Sequence, residues 1–254
     1  MAKIIAIANQ KGGVGKTTTS VNLSACVAAA GKRVLLVDED PQGNATSGFG
    51  VDKKSIENSV YDVMINEMSV KDVIIDSMID TLKIVPANIE LAGAEIELVT
   101  MMAREQVLKK ALEEVRDEFD YIFIDCPPSL GLLTLNALNA ADTLLVPIQC
   151  EYYALEGLSQ LMNTVKLVRK SLNPSLDVEG VVLTMFDSRT NLSMQVVEEV
   201  KKFFKNKVYN TIIPRSVRLS EAPSYGLPVI LYAGKSNGAK AYTALAEEMI
   251  KKGE

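Results

Sequence analysis

Histidine and tryptophan are absent from the 254 residues, and cysteine occurs only three times. Without histidine, neither a histidine-based catalytic triad nor an imidazole-ligated metal is available. Acid–base work falls to carboxylates, lysines or water. Cys26, Cys126 and Cys150 form an odd set with no CxxC spacing, which argues against a disulfide framework and against a zinc ribbon. No apolar run approaches the ~20 residues of a membrane helix. The opening run Lys3–Ala8 is too short for a signal sequence, and Asn9-Gln10-Lys11 follows it with no small-residue cleavage site. A cytoplasmic protein is expected.

What remains is ordinary for a globular chain: 48% apolar and 23% charged residues, enough to build a full core. The net charge of −5 does not advertise a nucleic-acid binder, but its distribution is uneven. Residues 189–254 hold 11 Lys+Arg against 6 Asp+Glu, a net of +5, which leaves −10 for residues 1–188. Solvated helix faces would also produce such a split.

Short β-branched runs alternate with longer amphipathic ones. Strands are expected at 3–8, 33–37, 82–86, 121–125, 143–148, 179–185 and 208–213, with an edge strand near 228–232. Helical spacing covers 16–30, 59–66, 70–77, 88–100, 104–118, 155–171, 192–206 and 238–252. Asn191 and Asn237 suit N-caps, and Gly31 suits a C-terminal stop. Several strands are apolar on both faces. The pattern predicts an α/β fold with a doubly wound, mostly parallel sheet flanked by helices, as a single domain over 1–254. Ligands of such sheets bind beyond the carboxyl ends of the strands.

Beyond the first strand lies Asn9-Gln10-Lys11-Gly12-Gly13-Val14-Gly15-Lys16-Thr17-Thr18, running into an alanine-rich helix. Glycines let backbone N–H groups turn inward around an anion, and the helix N-terminus adds partial positive charge. Lys16 would reach the β- and γ-phosphates of a nucleotide, and Thr17 would hold magnesium. Tyr121-Ile122-Phe123-Ile124 ending in Asp125 has the Walker B layout, a carboxylate at a strand end holding magnesium through water. After Val37, three acids crowd one strand end, Asp38-Glu39-Asp40, which suits a site for magnesium and an attacking water. An Asx-turn closed by Pro41 would also use these residues. The nearest match to a guanine-reading NKxD is Asn206-Lys207-Val208-Tyr209, which lacks the final Asp, so ATP is favoured.

The strict phosphate-loop pattern needs glycine where Gln10 stands. The run present is KGGxGKT, the deviant Walker A motif, and it makes the chain resemble the ParA/MinD/nitrogenase-iron-protein group of P-loop ATPases. Asp38–Asn44, Leu91–Leu98, Cys150–Leu158 and Ile213–Ser224 extend the resemblance to chromosome-partitioning ATPases of the Soj type over nearly the full chain. That resemblance implies that Lys11 reaches the nucleotide of a facing subunit in an ATP-dependent homodimer. It implies that Asp40 orients the attacking water, that Asp38 belongs to the magnesium shell, and that Pro214, Arg215 and Ser216 border the adenine. A ParB-type protein, nonspecific DNA and the replication initiator are the implied partners, with a nucleoid-associated location. Arg189 and Arg218 are the implied DNA contacts, joined by Arg215 from the same basic third. Arg215 and Arg218 equally suit surface salt bridges, and Tyr152, Tyr153, Leu155 and Leu158 suit the packing of a loop and the start of a helix, the better reading for the tyrosines.

Two other readings of the same group fit less well. A membrane-recruited ATPase like MinD needs a basic, bulky C-terminal helix, and Ala244–Glu254 is too acidic and too small-sided, so no membrane is expected. An iron–sulfur carrier needs two suitably placed cysteines. Cys126 abuts Asp125 and Cys26 lies within a helix.

Overall fold

The computed structural model describes residues 1–151 and 158–253. In chain order the described elements are β1 (Lys3–Ile7), α1 (Lys16–Ala29), β2 (Val34–Asp38), α2 (Asn44–Ser47), α3 (Val60–Ile65), α4 (Val70–Val73), β3 (Ile75–Asp76) and β4 (Leu82–Val85). There follow α5 (Leu91–Glu97), α6 (Val107–Glu113), β5 (Tyr121–Asp125), α7 (Leu132–Ala140), β6 (Thr143–Gln149), α8 (Leu158–Ser171) and β7 (Asp177–Thr184). The chain closes with α9 (Asn191–Phe204), α10 (Val217–Glu221), α11 (Val229–Ala233) and α12 (Asn237–Gly253).

The strands form one sheet in the order β3-β4-β2-β5-β1-β6-β7, parallel except for β3. Alternate side chains serve opposite faces, as the pleat requires. Ile4, Ala6, Leu35 and Val37 enter the core under α3, α5, α6, α7, α8 and α9. Ile5, Ile7, Val34 and Leu36 enter the core under α1 and α12. Every residue of β2 and β5 is buried, which explains their unbroken apolar runs. The register then fixes the chemistry: Ile7 and Asp38 both lie opposite Asp125. The loop after β1 and the acids ending β2 and β5 therefore meet at one edge.

Several expectations need correction. Residues 208–213 form no strand; isolated bridges join Val208 to Val181 and Pro214 to Phe186. Tyr209 and Ile213 still donate to Val181 and Leu183, but the amides of Asn210 and Thr211 between them are taken by the Glu248 carboxylate at 2.9 and 3.0 Å. Residues 228–232 hold α11 instead of an edge strand. Pro228 sets its entry, and the Val229 amide donates to Asn22 on α1 at 2.7 Å. The helix expected over 70–77 stops at Val73, and Ile75–Asp76 pair with β4. The helices expected at 88–100 and 104–118 are shorter, with single 3₁₀ turns at Leu98–Thr100 and Arg104–Gln106. Thr190, not Asn191, caps α9, and Ser236 accepts the Ala239 amide at the head of α12. Gly31, at φ 86°, follows the end of α1 as expected. All three cysteines are free and buried. Tyr152, Tyr153 and Leu155 lie outside the described residues, and Leu158 is buried.

Candidate active site

The loop between β1 and α1 is anchored from both sides. Asn9 Nδ2 donates to the Pro147 carbonyl at 2.7 Å, and Thr184 Oγ1 donates to the Val14 carbonyl at 2.8 Å. Gly13 and Gly15 hold φ of 73° and 88°, the left-handed turns that make the N–H groups converge. Gly15 leads directly into Lys16 and Thr17, the first residues of α1.

Lys16 is 7% exposed, and its Nζ donates to the Lys11 carbonyl at 3.3 Å. Burial lowers its pKa, while Asp125 and Asp40 act in the opposite sense. Asp125 is fully buried, and its Oδ1 accepts from Ser20 at 2.7 Å. Its Oδ2 has no partner among the described residues. Burial, reinforced by Asp38, pushes Asp125 well above the usual carboxylate range. Asp38 is raised as well, chiefly by burial, although its Oδ2 accepts from both the Thr46 amide and hydroxyl at 2.7 Å. Asp40 Oδ1 accepts from the Gln42 amide at 2.9 Å, so the Asx-turn is present and the side chain remains beside Lys16.

Four buried acids, Asp38, Glu39, Asp40 and Asp125, set against the ammonium of Lys16 are costly. One divalent ion next to the orphan Oδ2 of Asp125 would relieve that cost. Among the described residues, no set of three Asp, Glu or Cys closes on a metal alone.

Beside the loop opens a cavity of about 510 Å³, bounded by Gly15, Thr18, Thr184, Met185 and the run Ile213–Ser216. Pro214, Arg215 and Ser216 thus come to the flank of the phosphate loop. Ser20, Thr46 and Thr184 were not foreseen. Hydroxyls within a helix or at a strand end carry no spacing pattern, and each acts here through a residue distant in sequence.

Each of the three arginines is engaged by a carboxylate. Arg189 is bound in a fork by Asp187, at 2.9 and 2.7 Å. Arg218 pairs with Glu221 at 2.8 Å and Arg215 with Glu151 at 3.4 Å. Lys201, Lys202, Lys205 and Lys240 form no salt bridge among the described residues.

The mouth of the loop is open. A Cβ placed on Gly12 meets no atom within 4 Å. Gly12→Val is therefore expected to leave ATP affinity and thermal stability within about twofold and 2 °C, because a substitution in open space rarely moves stability beyond ±0.5 kcal/mol. If a second subunit stacks on this mouth, the same variant loses ATP-dependent dimers. Multi-angle light scattering with ATP reads the difference, and an intact dimer would place the interface elsewhere.

Comparison with known proteins agrees with this geometry. A family model for an AAA domain matches residues 2–178. The chain is 63% identical to sporulation initiation inhibitor protein Soj of Bacillus subtilis (strain 168) over 253 residues, covering 100% of both chains. It is 55% identical to chromosome partitioning protein ParA of Myxococcus xanthus (strain DK1622), covering 99% of this chain and 89% of that one. Among solved structures, cobyrinic acid a,c-diamide synthase from Mycobacterium smegmatis, with bound ADP and magnesium, has a TM-score of 0.87 at 38% identity, covering 100% of this chain and 97% of that one. The chain belongs to the Soj/ParA family of chromosome-partitioning ATPases, within the ParA/MinD group of P-loop proteins.

Proposed function

We propose that this chain is a magnesium-dependent ATPase in which bound ATP assembles a homodimer, the dimer holds DNA without reading its sequence, and a ParB-type partner triggers hydrolysis and release. The observation that carries the reading is the buried cluster of Lys16, Asp38, Asp40 and Asp125 behind a glycine loop, with one carboxylate oxygen of Asp125 left without a partner among the described residues. Residues that serve only as a fold's core do not bury three acids together.

In this reading the N–H groups from Lys11 to Thr18 cradle the phosphates, and Lys16 neutralises their charge. Magnesium, when bound, offsets the charge gathering on the transferred phosphoryl group. Thr17 and Asp125 hold that ion and Asp38 closes its shell, kept in place by Thr46. Asp40 orients the attacking water. Lys11, on the open mouth of the loop, reaches the nucleotide of the facing subunit. The cavity beside Pro214–Ser216 takes the adenine. Size-exclusion chromatography with ATP or ADP, with and without DNA, tests the switch. A monomer under every condition, or DNA retention equal in ADP, would overturn it.

The DNA surface is placed on the basic final third, at Arg189, Arg215 and Arg218. One subunit offers few phosphate contacts, and a dimer doubles them on one surface, so ATP gates binding without touching DNA. Each arginine must exchange a carboxylate for a phosphate, which dulls its contribution. With Arg189 and Arg218 both replaced by alanine, the slope of log affinity against log salt is expected to flatten by roughly 0.9 for each phosphate that is no longer neutralised. ATP-dependent dimers should persist. An unchanged slope would shift the surface to Lys201, Lys202, Lys205 and Lys240, whose ammonium groups pair with no carboxylate among the described residues. Association with the nucleoid follows from the same property, and control of a replication initiator is a further role the family resemblance supports.

A further inference from the structure

The wall of the large cavity at Ile213–Ser216 belongs to a run, 208–216, that is neither helix nor strand. Parts of that run are tied to β7 and the turn after it. The Tyr209 amide donates to the Val181 carbonyl at 2.9 Å, the Ile213 amide to Leu183 at 2.8 Å and the Arg215 amide to Phe186 at 2.9 Å. Between Tyr209 and Ile213 stand two amides that β7 does not take. The Thr211 amide is partly buried, and a backbone N–H in that position needs an acceptor. Glu248 of α12 supplies it for both. Its Oε1 accepts from the Asn210 amide at 2.9 Å and from Asn210 Nδ2 at 3.1 Å. Its Oε2 accepts from the Thr211 amide at 3.0 Å and from the Thr211 hydroxyl at 2.9 Å.

This is a strong grip on a short piece of chain. Hydrogen bonds to an ionised acceptor are roughly twice as strong as neutral ones. The Glu248 side chain is only 15% exposed, and Lys252 one turn on stands 3.3 Å from it. Burial raises its pKa, but the bonds from Asn210 and Thr211 outweigh burial and hold the carboxyl below the ordinary glutamate range. The helix that carries it is itself seated: Leu245, Ala246 and Met249 are buried in the core that α12 shares with α1. Two consecutive peptide units, ending two residues before Ile213, are thus fixed to a helix that does not shift with the run.

The same helix touches the cavity twice more. Tyr242, 1% exposed, lines it and places its hydroxyl 3.1 Å from Thr19 Oγ1 on α1. Gly238 lies so close to Leu219, another lining residue, that an added Cβ would meet Leu219 Cγ at 2.8 Å. The opposite half of the site has other supports. Pro147 and Thr184 anchor the glycine loop, Thr46 holds Asp38 and Ser20 holds Asp125. Glu248 bonds to none of these groups, so its influence falls on the wall at 213–216 and not on the loop or the acids.

We propose that Glu248 is a positioning residue for the nucleoside half of the site: it sets Pro214–Ser216 against Gly15 and Thr18 at the separation that grips the base, and takes no part in holding phosphates or magnesium. This rests on the adenine placement proposed above, and a cavity-filling variant tests that placement separately. In Glu248→Ala the KM for ATP rises about tenfold, the size of one lost hydrogen bond to a charged group. Its kcat stays within about twofold, because the interaction serves ground state and transition state alike. Tripolyphosphate, which offers the phosphates without a base, inhibits wild type and variant equally. Glu248→Gln keeps one acceptor oxygen, and its KM lies between the two. A merely structural role would move the tripolyphosphate inhibition constant together with the KM, and that result overturns the proposal. An unchanged KM in Glu248→Ala also overturns it. Ser216→Trp fills the cavity and raises the KM for ATP with tripolyphosphate inhibition unaltered. If Ser216→Trp weakens ATP while Glu248→Ala does not, the adenine placement stands and the role of Glu248 falls. Wild-type KM in Ser216→Trp defeats the adenine placement, and the proposal with it.

Discussion

Lys16→Ala is expected to abolish ATP binding at working concentrations. The ammonium is 7% exposed and lies among Asp40, Asp125 and the loop carbonyl of Lys11. Its removal leaves the β- and γ-phosphates facing backbone N–H groups and three acids, with no fixed cation. Deleting one member of a buried charge pair costs about 3–5 kcal/mol, which is roughly a hundredfold to several thousandfold in Kd. The fold should lose some stability as well, because Asp40 and Asp125 stay buried without the ammonium beside them, even though the lysine's one hydrogen bond to the described residues is the 3.3 Å contact to Lys11. Isothermal calorimetry with ATP and magnesium measures the loss, and a melting curve confirms the fold. Wild-type affinity in the variant would end the phosphate-loop assignment.

Asp40→Ala should separate binding from turnover. Asp40 is 7% exposed, and its side chain is fixed by the Gln42 amide in the turn after β2. Neither the glycine loop nor Thr17 depends on it, so ATP affinity and ATP-dependent dimers should remain. A positioned base or water-orienting carboxylate typically supplies roughly 10²–10⁴-fold in rate, so phosphate release should fall by about that factor. The dimer would then stay on DNA long after the parent protein has left. Single-turnover phosphate release, paired with dissociation from labelled DNA, reads both effects. Hydrolysis at the parent rate would move the water-orienting role to another residue, and lost nucleotide binding would make Asp40 part of the phosphate site instead.

What could be read from the sequence was local. The glycine loop, the strand ahead of it and Asp125 at the end of β5 are each defined by a few neighbouring residues, and all lie where expected. The parallel sheet followed from strands apolar on both faces. The failures came where a distant residue decided. Val208–Ile213 has the composition of a strand, yet Glu248 on α12 takes two of its amides. Val229–Ala233 is rich in β-formers, but Pro228 and the side-chain oxygen of Asn22 on α1 favour a helix. In the site, Thr46 follows Asp38 by eight residues and Ser20 precedes Asp125 by 105, separations at which no short motif operates. Both hydroxyls orient acids that the sequence did identify. The arginines are the opposite case: DNA contact and surface pairing were equally legible for Arg215 and Arg218, and each side chain is engaged by a carboxylate.

The broken run at 208–214 matters beyond the local hydrogen bonds. A sheet with a free, straight border invites another chain to pair with it, a route to aggregation and domain swapping. Here one border is the two-residue β3, and the other is shielded by a segment that bridges β7 at Val181 and the chain beyond it at Phe186, while a carboxylate from α12 occupies the amides of Asn210 and Thr211. Neither border presents a ladder long enough to recruit a stranger. Under the dimer switch proposed above, subunits that meet and part with the nucleotide gain from having no second, unregulated way to stick.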